Sequence, residues 1–235
     1  AKDLASLGDF YVNEAFAVSH RAAASVLAVT QFLPSYAGLG LEQEIKHLTK
    51  VMKNPARPLV LVVGGGKADD KVGFIKFFKT KANTILTGGA AANTLMLTAG
   101  YDIKKSLADR EDVKNFRSIL KYKNLVLPVD YGASGDKILD IGPKTIDLYI
   151  AKIAKAKTVI WNGPMGFFEK KPFDRGTLAV ANGVVKNRRC FSVTGGGETV
   201  EFLKKHKLDR GFSFISTGGG AMLDFLAGKK LPGVV

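Results

Sequence analysis

The chain is 235 residues long, 46% hydrophobic and 24% charged, with 26 glycines, proportions of a globular protein that exclude collagen, coiled-coil and disordered classes. Thirty-five Lys and Arg stand against 21 Asp and Glu, a formal net charge of +14, which points to polyanionic partners: nucleic acid, an acidic membrane surface or phosphorylated metabolites. No apolar run reaches the roughly 18–20 residues of a membrane span, no signal peptide is read, and one cysteine, Cys190, excludes an intrachain disulfide and a cysteine-rich zinc site. The expected location is cytoplasmic.

Taken in order, the stretch DFYVNEAF already reads as a strand. LVLVV (59–63) runs into Gly64, Gly65 and Gly66, and TILT (84–87) into Gly88 and Gly89. NLVLPV (124–129) runs into Asp130, and TVIW (158–161) into Asn162, Gly163 and Pro164. CFSVT (190–194) runs into Gly195, Gly196 and Gly197, and FSFIS (212–216) into Thr217 and Gly218, Gly219 and Gly220. Amphipathic helical stretches lie between them. Continuous apolar strands suit a parallel sheet buried on both faces, and their alternation with helices predicts a doubly wound, Rossmann-like α/β sheet of about six strands.

Each glycine cluster follows a strand, at the edge where open parallel sheets bind ligands. One glycine suffices for a turn, whereas four double or triple glycines suggest backbone amides approaching a phosphate. Neither the G-x-x-x-x-G-K-[ST] loop nor a G-x-G-x-x-G opening the first helix is present. Lys67 and Lys71, four apart, are expected on one face at a helix start. For a single lysine the ordinary role is solvation, and for Glu198 it is helix capping; beside a polyphosphate, Glu198 could instead hold Mg²⁺.

The ordered strings GDFYVNEAF…HRAAAS, FLPSYAGLGLEQEI, GGGKADDKVGFI, LDIGPKTI, KTVIWNGPMGFFE, VTGGGET and ISTGGGAMLDFLAGKKLPGV closely resemble phosphoglycerate kinase, and they cover essentially the whole chain. The resemblance is to the last part of that enzyme. It implies three regions: 1–37, a remnant of the N-terminal substrate domain; 38–54, an interdomain helix; and 55–235, the nucleotide-binding domain. The Ala at position 1 and the early strand fit that expectation.

The resemblance implies phosphoryl transfer from 1,3-bisphosphoglycerate to Mg²⁺-bound ADP, giving 3-phosphoglycerate and ATP, by an enzyme that is monomeric when complete. Lys67 is matched to the transferring group and Lys71 to the nucleotide phosphates. Gly88 and Gly89 are matched to the adenine pocket, with Leu139 on the base and Pro164 near the nucleoside. Glu169 is matched to the ribose hydroxyls. Asn162 and Thr199 are matched to phosphate contacts, beside Gly196 and Gly197. Gly219 and Gly220, after Gly218, face the phosphoryl in flight. His20 and Arg21 match the substrate side, the arginine contacting phosphoglycerate. Glu198 stands where the family usually has an Asp that holds the metal. Ala90 and Ile138 replace common glycines, and the stretch 131–139 is a shortened loop.

The remaining candidates have ordinary roles. Cys190 is expected to be a small buried hydrophobe, His47 and His206 to be surface residues, and Trp161 and the phenylalanines to fill the core. Two rivals stand beside the kinase: a non-catalytic adenine-nucleotide module, and a nucleic-acid binder, disfavoured because the aromatics sit at core positions. The expectation is therefore no nucleic acid and no membrane, with the basic excess serving anionic substrates or offsetting an upstream segment.

Overall fold

The computed structural model describes residues 1–111 and 113–234. A short helix, α1 (Lys2–Ala5), precedes β1 (Tyr11–Asn13) and β2 (Ser35–Ala37), which pair in parallel as a sheet of their own. Helix α2 (Leu39–Lys53) then leads into β3 (Leu59–Val63), α3 (Asp69–Phe77), β4 (Thr84–Thr87), α4 (Gly89–Thr98), α5 (Val113–Arg117) and β5 (Leu125–Val126). A hairpin, β6 (Tyr131–Ser134) and β7 (Lys137–Ile141), leads to α6 (Pro143–Ala154) and β8 (Thr158–Asn162). The chain closes with α7 (Arg175–Lys186), β9 (Phe191–Gly195), α8 (Gly197–Lys205), β10 (Phe214–Ile215) and α9 (Gly220–Leu226).

The large sheet has the order β10-β9-β8-β3-β4-β5, parallel throughout. All five residues of β3 are buried, because period-2 alternation sends them to two faces and both faces are covered. Leu59, Leu61 and Val63 pack with α2, α3, α4 and α9 through Leu48, Phe74, Leu95 and Leu226. Val60 and Val62 pack on the other face with Tyr149 and Ile153 of α6 and Val180 and Val184 of α7. Truncating one of these, as in Leu61→Ala, is expected to cost about 2–5 kcal/mol.

The six expected strands all form; LVLVV and TILT keep their ends, and the other four shift. The run NLVLPV shrinks from six residues to Leu125–Val126 ahead of Pro128. Cys190 falls just outside β9, which extends to Gly195. The stretch 131–139 is an antiparallel hairpin rather than a loop, with Ser134 paired to Lys137 around Gly135 and Asp136. Gly135 has φ +58, the left-handed conformation such a two-residue turn requires.

The first 37 residues are tied to the large unit by carboxylate and backbone bonds. Glu14 accepts from the amides of Gly40 (2.7 Å) and Leu41 (3.3 Å), capping α2 from a distance. Near the other end of the chain, the Gly233 amide donates to the Ser19 carbonyl, and Asn13 Nδ2 donates to the Gly233 carbonyl at 2.7 Å. The LPGV stretch thus returns to the first segment of the chain.

Candidate functional site

Strands β3 and β8 are neighbours whose chains depart to opposite sides, so their carboxyl ends open the crevice at which such sheets bind ligands. Here the glycine clusters divide into two kinds. The Gly64 amide donates to the Asn162 carbonyl, Gly65 to Pro164, Gly88 to Val63, and Gly89 to Met165, all at 2.8–2.9 Å. A Cβ on Gly64 or Gly163 would collide with the facing backbone, and one on Gly88 or Gly89 would stand 2.8–2.9 Å from Met165 or Gly65. These glycines lock three turns together, and their amides are already spent. The expectation that every cluster offers amides to phosphate is corrected for Gly64, Gly65, Gly88 and Gly89.

Single members of three clusters differ from these, whereas the Gly218 amide donates to Ser216 Oγ. Among the described residues the amides of Gly66, Gly196 and Gly219 have no acceptor. Gly196, with φ +100, lies 3.1 Å from where a Cβ of Gly219 would stand, so the turns after β9 and β10 present their donors side by side.

Beneath them lies a buried polar layer. Lys71 Nζ donates to Asn162 Oδ1 at 2.6 Å, and Asn162 Nδ2 donates to the Gly195 carbonyl at 2.9 Å. Thr199 Oγ1 accepts from the Gly163 amide at 3.0 Å. Burial lowers the Lys71 ammonium from its ordinary value, while Asp70, Glu198 and Asp69 pull it back up and Lys67 opposes them. Lys67 itself is exposed and lies two residues before α3 begins, whereas Lys71 is buried. The two lysines therefore do not share a helix face, because the helix starts later than their spacing assumed.

A cleft of about 560 Å³ opens beside this layer. Gly89, Leu139, Pro164, Glu169 and Glu198 line it, as do Ala90 and Ile138. Of the remaining expected residues, Gly88 is behind Met165 and Gly197 faces open space. Gly220 lies against the His20 ring, with Nε2 3.3 Å from its would-be Cβ, and Arg21 is exposed next to it. His20 Nδ1 is buried and has no partner among the described residues. On the far side of the same turn, buried Glu44 of α2 accepts from the Thr217 amide at 2.6 Å and its hydroxyl at 2.8 Å.

Sequence reasoning missed Met165 and Asp140. Met165 is fully buried where the β4 and β8 turns meet. Asp140 lines the cleft and accepts from the Gly176 amide (2.7 Å) and the Ile141 amide (2.9 Å). Burial pushes its carboxyl up to about 7, those two bonds pull it down, and Asp174 adds to the rise. The visible signal was a lone acid inside the apolar run KILDI.

Several ordinary readings need amendment. His47 is half-buried, stacked on Phe214 at 4.4 Å, and His206 packs on Phe202 at 4.3 Å, so neither is a plain surface residue. Cys190 is buried and burial pushes its thiol up to about 11, far from a reactive thiolate. Trp161 fills the core as expected. The charged side chains lining the cleft are Lys137, Lys170, Asp140, Glu169 and Glu198, so the basic excess does not reside there.

Among the described residues no helix is long and apolar enough to cross a membrane, and no group of three or more His, Cys, Asp or Glu could hold a metal ion. A sequence model of the phosphoglycerate kinase family matches residues 1–229. The phosphoglycerate kinases of Dictyoglomus turgidum and Pelotomaculum thermopropionicum are 40% and 42% identical over 258 aligned residues, taking in all of this chain and 65% of each relative. Because 258 exceeds 235, the relatives carry extra residues inside the matched span. The solved phosphoglycerate kinases of Coxiella burnetii and Pyrococcus horikoshii superimpose with TM-scores of 0.87 and 0.88, at 37% and 32% identity. Each covers 99% of this chain, which in turn spans 66% and 64% of theirs. The chain thus spans about two thirds of the length of its relatives, and it belongs to the phosphoglycerate kinase family.

Proposed function

We propose that the cleft binds ADP or ATP and that the protein serves phosphoryl transfer between 1,3-bisphosphoglycerate and ADP. The observation that carries this reading is the buried Lys71–Asn162 pair set below unpaired glycine amides at the switch point of the sheet. In the transfer, a β-phosphate oxygen of ADP attacks the acyl-linked phosphorus. The phosphorus–oxygen bond to the acyl group breaks and a carboxylate leaves, so no proton has to move.

The protein's task is then to position the reactants and to neutralise the equatorial oxygens. Lys71 and the Gly196 and Gly219 amides supply fixed donors, and exposed Lys67 reaches the transferring group. Leu139 with Ala90 and Ile138 gives the apolar slot for the base, while Glu169 accepts from the ribose hydroxyls. His20 and Arg21 beside Gly220 form the substrate side, with Arg21 taking the phosphoglycerate.

Glu198 fits Mg²⁺ brought in with the nucleotide. It is an exposed carboxylate at the cleft, its Oε2 3.8 Å from where a Gly65 Cβ would stand. Mg²⁺ on a nucleotide commonly takes one or two carboxylates plus phosphate oxygens and waters. When bound, the ion would neutralise charge on the phosphates. A cytoplasmic location and action as a monomer belong to the same reading.

Calorimetric titration with ADP, with and without Mg²⁺, tests it. Saturable binding strengthened by the metal is expected. Absence of binding in both conditions, from a chain with a cooperative unfolding transition, would overturn it.

A further inference from the structure

The +14 charge has a location. In a parallel sheet all segments that run into the strands gather at one edge, opposite the cleft. In this chain those segments are 50–58, 76–83, 117–124, 152–157, 186–190 and 204–213, which precede β3, β4, β5, β8, β9 and β10. Each of the first five carries three Lys or Arg and no acid; the sixth carries four and one acid, Asp209. This edge therefore holds 19 of the 35 basic residues and one of the 21 acids. The rest of the chain, cleft included, is slightly acidic.

Local needs do not account for this excess. Basic residues at helix C-termini offset the helix dipole, but that amounts to about half a charge per helix. Five helices of nine or more residues (α2, α3, α6, α7 and α8) end at this edge, so the demand is about two to three charges. Nor do internal carboxylates neutralise it: the salt bridges among the described residues, Lys105–Asp136 and Lys229–Asp224, lie elsewhere. All of these cations are exposed except half-buried Lys81. Their counter-charge has to come from outside the fold.

The edge's other property is what it lacks. None of the exposed large hydrophobic side chains of the described residues lies in the six segments. The Phe and Tyr side chains there, Phe77, Phe78, Tyr122 and Phe212, are buried or half-buried, and the ammonium groups of Lys81 and Lys79 lie over Phe77 and Tyr122. There is nothing to stack on unpaired bases and nothing to insert into a bilayer, where lasting attachment needs an apolar or lipid anchor beside a basic patch. What remains is contact with a regular, dense row of phosphates. Six strands about 4.8 Å apart make an edge about 24 Å long. That length of duplex nucleic acid carries roughly 14 phosphates, one per ~1.7 Å, a density that the edge can match.

We propose that this basic edge is a docking surface for the phosphate backbone of a double-stranded nucleic acid, independent of sequence and of the cleft. The probe is a fluorescent random-sequence DNA duplex of about two helical turns, titrated with the chain at 50 and 200 mM NaCl. Binding at low salt that weakens about 10³-fold or more at the higher salt is expected. A variant carrying K155E, K157E, R188E and R189E should bind far more weakly, with a salt slope shallower by about four. Reversing four basic residues elsewhere (K2E, K104E, K114E and K230E) should leave most of the binding. Unfolding curves of both variants confirm that each is folded. Equal losses in the two variants, no binding at 50 mM, or a salt-independent affinity would overturn the proposal. So would binding to vesicles of equal parts phosphatidylserine and phosphatidylcholine in preference to the duplex.

Discussion

Lys71 and Asn162 are 91 residues apart in sequence, yet the ammonium of one donates to the amide oxygen of the other at 2.6 Å within a buried layer. The bond joins α3 to the end of β8 and fixes a cation below the unpaired glycine amides. Burial disfavours that charge while Asp70, Glu198 and Asp69 favour it, and under the proposed function a nucleotide phosphate would favour it further.

Lys71→Met keeps the volume and removes the charge. ADP affinity should fall about 10- to 100-fold, the range of a charge-assisted hydrogen bond. Stability should change little, because a buried charge is removed together with its bond. Calorimetry and urea denaturation on the same variant separate the two effects. An ADP affinity equal to that of the parent chain would place Lys71 outside the site.

Glu198→Gln preserves shape and hydrogen-bonding reach while deleting the charge. The expected result is that ADP binds as before without metal and that added Mg²⁺ no longer strengthens it. An undiminished Mg²⁺ effect would reduce Glu198 to a helix-capping residue at the start of α8.

Lys67 and Lys71 show where sequence reasoning stops. The strand LVLVV was legible residue for residue, since an apolar run flanked by glycines has one stable use in such a sheet. Spacing alone misplaced Lys67, because i and i+4 share a face only when both lie in the helix, and α3 begins at Asp69. The β6–β7 hairpin did carry a signal, Gly135–Asp136 between two short runs. Its strands are largely exposed or half-buried, so little apolar alternation marked them. The division of labour among the glycines was not legible, since it depends on which turns meet in space. Glycines that pack against backbone and glycines that leave amides free look alike in sequence.

Gly163→Ala tests that division. Gly163 has φ +88 and faces the backbone of Gly64, where a Cβ has no room. Backbone strain and the collision together should destabilise the chain by about 3 kcal/mol or more. Gly197→Ala, where a Cβ meets open space, should cost well under half of that. An unfolding free energy from urea curves within about 0.5 kcal/mol of the parent for Gly163→Ala would refute the packing role.

Asp140 sets a pH dependence whose sign follows from its shift. In the unfolded chain its carboxyl ionises near pH 4, whereas in the fold it holds its proton until about pH 7. Between those values the native state binds the extra proton, so this group's contribution to stability falls as pH rises from about 4 to 7, then stays level. Asp140→Asn removes the slope. The variant loses one acceptor for the Gly176 or Ile141 amide at every pH, but above pH 7 it escapes the cost of a buried carboxylate. Relative to the parent it should therefore gain up to about 4 kcal/mol between pH 4 and pH 8. Denaturation curves at both pH values read this difference directly. Parallel pH profiles for parent and variant would mean that Asp140 is ionised throughout, with the two amide bonds outweighing its burial.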